Sequence, residues 1–173
     1  MENNDKTKKN NVLKRKITIL LIKVFVIVAI FVITFTFIYG IKRIKSVEMY
    51  PNIKAGDLIL YYRLERIYNT GEVVLVEHDN KITIMRIVAR SGEIVDIKDG
   101  KILVNNIVEE KEAFYKTEKN KKAEISYPYT VEEGKYFVAY DYRLNKNDSR
   151  TFGTISTNDI KGRVIGKLQI RNI

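Results

Sequence analysis

Residues 17–39 narrow the possibilities for this chain more than any other stretch. They are apolar almost throughout, with Lys23 the one charge, and the run is long enough for a helix to cross a hydrocarbon core of about 30 Å. No polar stripe divides it, so it does not read as the half-buried helix of a soluble core. Lys23 lies near its start, where a long cationic side chain can reach the headgroups. The run exceeds the apolar region of a typical export signal, and no Ala-x-Ala-like site follows it. The sequence therefore predicts an uncleaved transmembrane anchor at 17–39.

Charge supports that reading and removes another. The chain of 173 residues carries a formal charge of +10, which by itself suggests a polyanionic partner. Residues 1–45 hold ten Lys and Arg against Glu2 and Asp5, whereas the rest carries twenty-one against nineteen. The excess therefore flanks the anchor, and no basic patch with interleaved aromatics points to nucleic acid. Lys6, Lys8, Lys9, Lys14, Arg15 and Lys16 precede the apolar run, and Lys42, Arg43 and Lys45 follow it. That bias places the N-terminus in the cytoplasm and the remainder outside the cell membrane. Residues 1–16 read as a disordered basic tail, 40–45 as a juxtamembrane linker and 46–173 as one extracytoplasmic domain.

With no Cys and a single His, the chain is without thiolate chemistry, disulfides and Cys-based zinc sites. No cofactor or metal is expected. His78 closes an apolar run just before Asp79-Asn80, and reads as a solvated residue at a hairpin end.

Past residue 45 the apolar residues come in short runs separated by turn signals. Strands are predicted at 58–62, 73–77, 81–88, 94–98, 101–104, 136–140 and 163–170, each rich in Val, Ile, Leu or Tyr. Asp99-Gly100 joins two of them and suits a type I′ turn, which needs positive φ at both positions. The expected fold is all-β, antiparallel, behind an N-terminal transmembrane helix. Residues 109–124 are crowded with charge and read as a solvated, partly helical excursion.

Three stretches carry chemistry. The first is Ser46-Val47-Glu48-Met49-Tyr50-Pro51-Asn52-Ile53, leading through Gly56-Asp57 into a strand. The second is Met85-Arg86-Ile87-Val88-Ala89-Arg90-Ser91-Gly92-Glu93. The third is Tyr140-Asp141-Tyr142-Arg143-Leu144-Asn145-Lys146-Asn147-Asp148-Ser149-Arg150-Thr151-Phe152-Gly153. In this order they resemble the nucleophile, base and Gly-Asp-Asn-Arg boxes of the type I signal peptidases, from the anchor to about Lys167. The resemblance implies that family's antiparallel β domain and a Ser/Lys mechanism of peptide cleavage. It also implies that the nucleophilic serine falls at Glu48 and the general-base lysine at Met85. Ser46 falls on the hydroxyl used for the oxyanion hole, and Asp148 and Arg150 fall on residues that brace the site. Lys146 stands where a hydroxyl holds the base.

A carboxylate cannot become an alkoxide, and its attack on an amide would give a labile anhydride. A thioether accepts no proton. Losing nucleophile and base together should leave essentially no rate above background. The expectation is therefore a pseudoenzyme, closest to the inactive signal-peptidase-like proteins of pilus assembly in streptococci and other Gram-positive bacteria. That resemblance implies an accessory or chaperone role, with pilin subunits or a pilus sortase as partners. The alternative is an active membrane peptidase using Lys146 as base with Ser46 or Ser149 as nucleophile, although the spacing of both serines opposes it. Two contacts are expected besides: a Glu48–Lys146 ion pair across the former active site, and an apolar patch joining Met85, Met49, Ile53 and the strand at 58–62.

Overall fold

A computed structural model describes residues 2–109, 113, 115–121, 123 and 125–169. The chain divides into two units, Met1–Tyr39 and Gly40–Ile173. In the first, helix α1 (Glu2–Ile33) runs into a π-helical turn, Thr34–Ile38. The stretch Leu13–Ile38 is long and apolar enough to cross a membrane. Leu20, Leu21, Phe25 and Phe31 are all exposed along it, as a lipid-facing surface requires. The segment expected to be a disordered tail is instead helical back to Glu2. Extending an existing helix adds one bond per residue without a new nucleation cost, and Lys and Leu are good helix formers.

In the second unit, strand β1 (Tyr39–Arg43) occupies most of the expected linker. An ideal Cβ on Gly40 would come within 2.2 Å of the Tyr61 ring, so glycine allows this segment to lie close to its neighbour. The other strands are β2 (Leu58–Tyr62), β3 (Val73–His78), β4 (Lys81–Arg90), β5 (Ile94–Lys98), β6 (Lys101–Val104), β7 (Ile107–Val108), β8 (Tyr129–Thr130), β9 (Lys135–Ala139), β10 (Ile155–Ser156) and β11 (Ile160–Leu168). A four-residue helix α2 (Ser149–Phe152) lies between β9 and β10. Seven strands pair in the order β1-β2-β11-β3-β4-β9-β10, and four more in the order β7-β6-β5-β8. The determined register is antiparallel throughout, as expected.

Asp99 and Gly100 both have positive φ, 51° and 76°, and close the β5–β6 hairpin. Gly162 serves a different need: between Tyr62 and the bulge after Ile160, an added Cβ would stand 2.5 Å from the Tyr62 carbonyl oxygen. Gly162→Ala is expected to destabilise the domain by about 1–3 kcal/mol through overpacking against backbone that cannot swing away. Urea denaturation would measure it.

The predicted apolar patch is divided by the sheet. Successive side chains on β4 point to opposite faces, so Ile84 packs with Met49, Ile53, Ile59, Tyr61 and Leu75. Its neighbour Met85 packs with Tyr68, Val74, Val76 and Ile87 on the other face. Both methionines are buried, so no continuous exposed patch forms. The charged excursion is likewise more than a solvated loop. Thr117 is buried and donates its N–H to the Gly100 carbonyl, while Lys119 reaches Asp96 at 3.4 Å. Its described residues contain no helix, and residues 110–112, 114, 122 and 124 lie outside the described set, as does Ile170, the expected end of the last strand.

Candidate functional site

Register places the site at one end of β4. Lys81–Met85 pair with β3, from His78 back to Val74, but pairing with β9 begins only at Arg86. The first half of β4 therefore has a strand on one side and, among the described residues, no paired strand on the other. The 46–57 segment is fastened by backbone bonds between Ile44 and Asp57 and between Gly56 and Ile44. Tyr142 donates its N–H to the Glu48 carbonyl at 2.8 Å, tying that segment to the end of β9. A groove of about 420 Å³ results, with Ser46, Glu48 and Thr83 among its lining and Ile44, Ile82 and Ile84 as its apolar wall. A smaller hollow of about 70 Å³ touches Thr83, Met85 and Tyr140. The three sequence stretches thus meet here, with Ser46, Glu48, Thr83, Met85 and Tyr140 around a shared neighbourhood.

Glu48 Oε2 is buried and meets no hydrogen-bond partner among the described residues. Thr83 Oγ1 is buried as well, close beside the Tyr140 hydroxyl. Burial raises the Tyr140 phenol above its usual pKa, and the nearby Glu48 charge pushes in the same direction while Thr83 opposes it. Met85 is 1% exposed within its apolar cluster. Thr83 was legible in one respect: it lies two residues before Met85, on the same face of a strand. That it lines the same groove as Glu48 required the tertiary fold.

The expected Glu48–Lys146 pair does not form. Lys146 Nζ instead reaches Glu118 Oε2 at 2.7 Å, with Lys146 partly exposed and Glu118 open to solvent. That contact holds the Glu118 carboxyl below its usual pKa. Lys146 projects from a loop after β9, where side-chain direction is not set by strand alternation, so the box alignment gave no guide to it. A depressed carboxylate pKa stabilises the fold above the usual carboxylate range and loses that contribution as pH falls through the lowered value. Exposed pairs of this kind contribute little. Lys146→Met is therefore expected to leave the Tm at pH 7 and at pH 3 essentially unchanged by circular dichroism.

Asp148 and Arg150 stand where the boxes imply a brace, and their environment suits one. Both are fully buried, and Asp148 Oδ1 accepts from Arg150 Nε at 2.9 Å while Oδ2 accepts from Nη2 at 2.7 Å. Asp148 also caps α2 by accepting the Arg150 N–H, and accepts the Tyr140 N–H at 3.0 Å. Arg150 Nη1 donates to the Arg143 carbonyl at 2.9 Å. Ser149 is buried and its Oγ accepts the Val138 N–H at 2.9 Å. Sequence reasoning missed a second buried network: Asp141 accepts from Arg86 Nε at 2.8 Å, Arg86 Nη2 at 2.5 Å and Asn52 Nδ2 at 3.0 Å. It joins the first, second and third boxes. His78, placed at the hairpin end as expected, is only half-exposed and stacks on Phe152 at 4.0 Å. Among the described residues no group of His, Asp and Glu comes together to hold a metal ion.

An antiparallel β domain that follows an apolar helix, with the first box lining a groove and the other two meeting at the adjoining hollow across Thr83, defines a class of peptidase fold. The family model for signal peptidase, peptidase S26, matches residues 17–168. The chain belongs to that family. Thylakoidal processing peptidase 1 of Arabidopsis thaliana is 30% identical over 143 residues, which cover 72% of this chain but only 40% of that protein. Signal peptidase I U of Bacillus subtilis is 31% identical over 164 residues, covering 86% of each chain. Inactive signal peptidase IA of Staphylococcus aureus is 26% identical over 150 residues, covering 80% of this chain and 83% of that protein.

Proposed function

We propose that this chain is a non-catalytic signal peptidase homologue. It acts as an accessory or chaperone factor in pilin assembly at the Gram-positive cell surface, anchored in the cell membrane with its β domain outside. The observation that carries the loss of catalysis is the pair of side chains at the two working positions. Glu48 cannot be made into an alkoxide, and Met85 has no lone pair able to take up a proton at neutral pH. Lys146, the one basic side chain at an alternative position, is engaged with Glu118, and Ser149 is buried as a hydrogen-bond acceptor.

The groove supplies the positive function. The open edge at Lys81–Met85 offers main-chain donors and acceptors to an extended peptide, which would be held without being cut. The bound segment belongs to a pilin subunit or to the sortase that joins pilins. The anchor confines the encounter to the membrane plane.

Deleting the chain and restoring it as Glu48→Ala tests the reading. Loss of surface pilus polymer on deletion, with full rescue by Glu48→Ala, is the expected result of immunoblotting wall extracts. Cleavage of an export leader by the purified wild-type chain, lost on mutation of Ser46 or Lys146, would establish the opposite.

A further inference from the structure

Residues 46–173 are nearly neutral in sequence, with twenty-one basic and nineteen acidic residues, yet the fold sorts the two signs. A hollow of about 370 Å³ is bordered by β1, β2, β4 and β11, and Lys42, Arg63, Arg66 and Lys161 all line it. No Asp or Glu stands in that lining among the described residues. Lys161 has a partner in Glu77 at 2.6 Å. Glu65, which separates Arg63 from Arg66 by sequence, is turned to Arg163 at 3.2 Å. Across Lys42 and Ile82, which line both, the hollow adjoins the groove, where Arg43, Lys45 and Lys81 stand with Glu48 as the one carboxylate. Burial and the Lys45 charge hold the Lys42 ammonium below its usual pKa, as crowded cations require. A face of one sign concentrates anions against it.

The chain itself says where that face must work. Lys42 is only four positions past Ile38, where the apolar stretch Leu13–Ile38 ends. An extended chain covers about 3.3–3.6 Å per residue, so Lys42 stays within roughly 14 Å of the end of the span whatever direction the backbone takes. Ile41 and Ile82 are 61% and 42% exposed beside the cations, and apolar tips among basic residues suit a membrane interface.

We propose that this basic face binds the phosphates of anionic phospholipid headgroups at the membrane surface from which the domain emerges. The inference rests on the membrane span and is independent of the pilin reading. Arginine's planar fork matches two phosphate oxygens at once, and the Arg63 guanidinium is already stacked over the Tyr61 ring at 4.8 Å. The lysines add charge without that geometry. A zwitterionic lipid offers the same phosphate but cancels its charge, so the face discriminates between the two. Headgroups bound here keep the adjoining groove at the bilayer surface.

Thermal unfolding of the full chain in neutral detergent, titrated with phosphatidylglycerol or phosphatidylcholine, tests this. All 11 tyrosines lie at or beyond residue 39, so near-ultraviolet circular dichroism in the tyrosine band reports the β domain and ignores lipid held by the basic N-terminal segment. Phosphatidylglycerol is expected to raise the Tm and phosphatidylcholine to leave it unchanged. Arg63→Gln with Arg66→Gln should raise the half-maximal phosphatidylglycerol concentration about 25-fold, about fivefold for each charge removed. Arg63→Lys with Arg66→Lys should hold most of the response, and 0.5 M salt should weaken it in the parent. Should the double Gln variant not fold, each single variant carries the same test at about fivefold. Equal response to the two lipids, a response that survives the Gln changes, or a loss as large with Lys as with Gln overturns the inference. So does an equal Tm rise from inorganic phosphate at the same concentration, which would mark a site for a free anion, or a larger one from a glutamate-rich peptide, which would mark a polypeptide partner.

Discussion

Asp148→Ala is expected to cost the folded chain about 3–5 kcal/mol, the largest loss of any single substitution around the site. The reason is what remains. Arg150 would keep a fully buried guanidinium whose Nε and Nη2 lose their carboxylate partner, and only the carbonyls of Arg143 and Asn145 would still accept from it. The Tyr140 N–H and the α2 cap would lose their acceptor in the same change. Asp148→Asn should cost less, since an amide oxygen keeps one acceptor but not the charge. Joint replacement of Asp148 and Arg150 by apolar residues should cost less than the sum of the two single changes, because no lone charge is left behind. Urea denaturation of the four variants in detergent measures all of this. A loss below about 1 kcal/mol for Asp148→Ala would mean that the network does not brace the fold.

Restoring chemistry is the second large expected effect. On the proposed reading, Glu48→Ser with Met85→Lys rebuilds the two principals but still lacks the hydroxyl that holds the base, since Lys146 occupies that place. The new lysine would replace a side chain that is 1% exposed among Tyr68, Val74, Val76 and Ile87. Desolvation there favours the neutral amine, which is what a general base requires near neutral pH. The double variant is therefore expected to stay near background, with its amine poorly oriented. Adding Lys146→Ser should raise cleavage of an export-leader peptide by about 10³-fold or more over the parent chain. A gel assay of leader cleavage, run on parent, double and triple variants, reads the outcome. A triple variant that folds but remains inert would show that the groove no longer presents a peptide bond to position 48.

Local pattern carried most of the fold. Strands β2, β5 and β6 fall where alternation and turn residues place them, because a hairpin such as Asp99-Gly100 is specified by two adjacent residues and their tolerance of positive φ. Strands β1, β7, β8 and β10 were not legible. Three are two residues long, and β1 begins at the last residue of an apolar run that reads as membrane span. Such strands exist because longer neighbours hold them, not through any propensity of their own.

The order of the three boxes, the residues at Glu48 and Met85 and the apolar helix are properties of the linear chain, and they were enough to name the family. Where side chains point was not available from that reading. Lys146 turned to Glu118 and not to Glu48, Met85 and Met49 went to opposite faces of one sheet, and a buried carboxylate oxygen of Glu48 was left without a donor among the described residues. Residue type and spacing constrain the backbone through local sterics and periodicity. The partner of a flexible charged side chain, or its lack of one, depends on which distant segments share its volume, and that is decided only when the sheet closes around it.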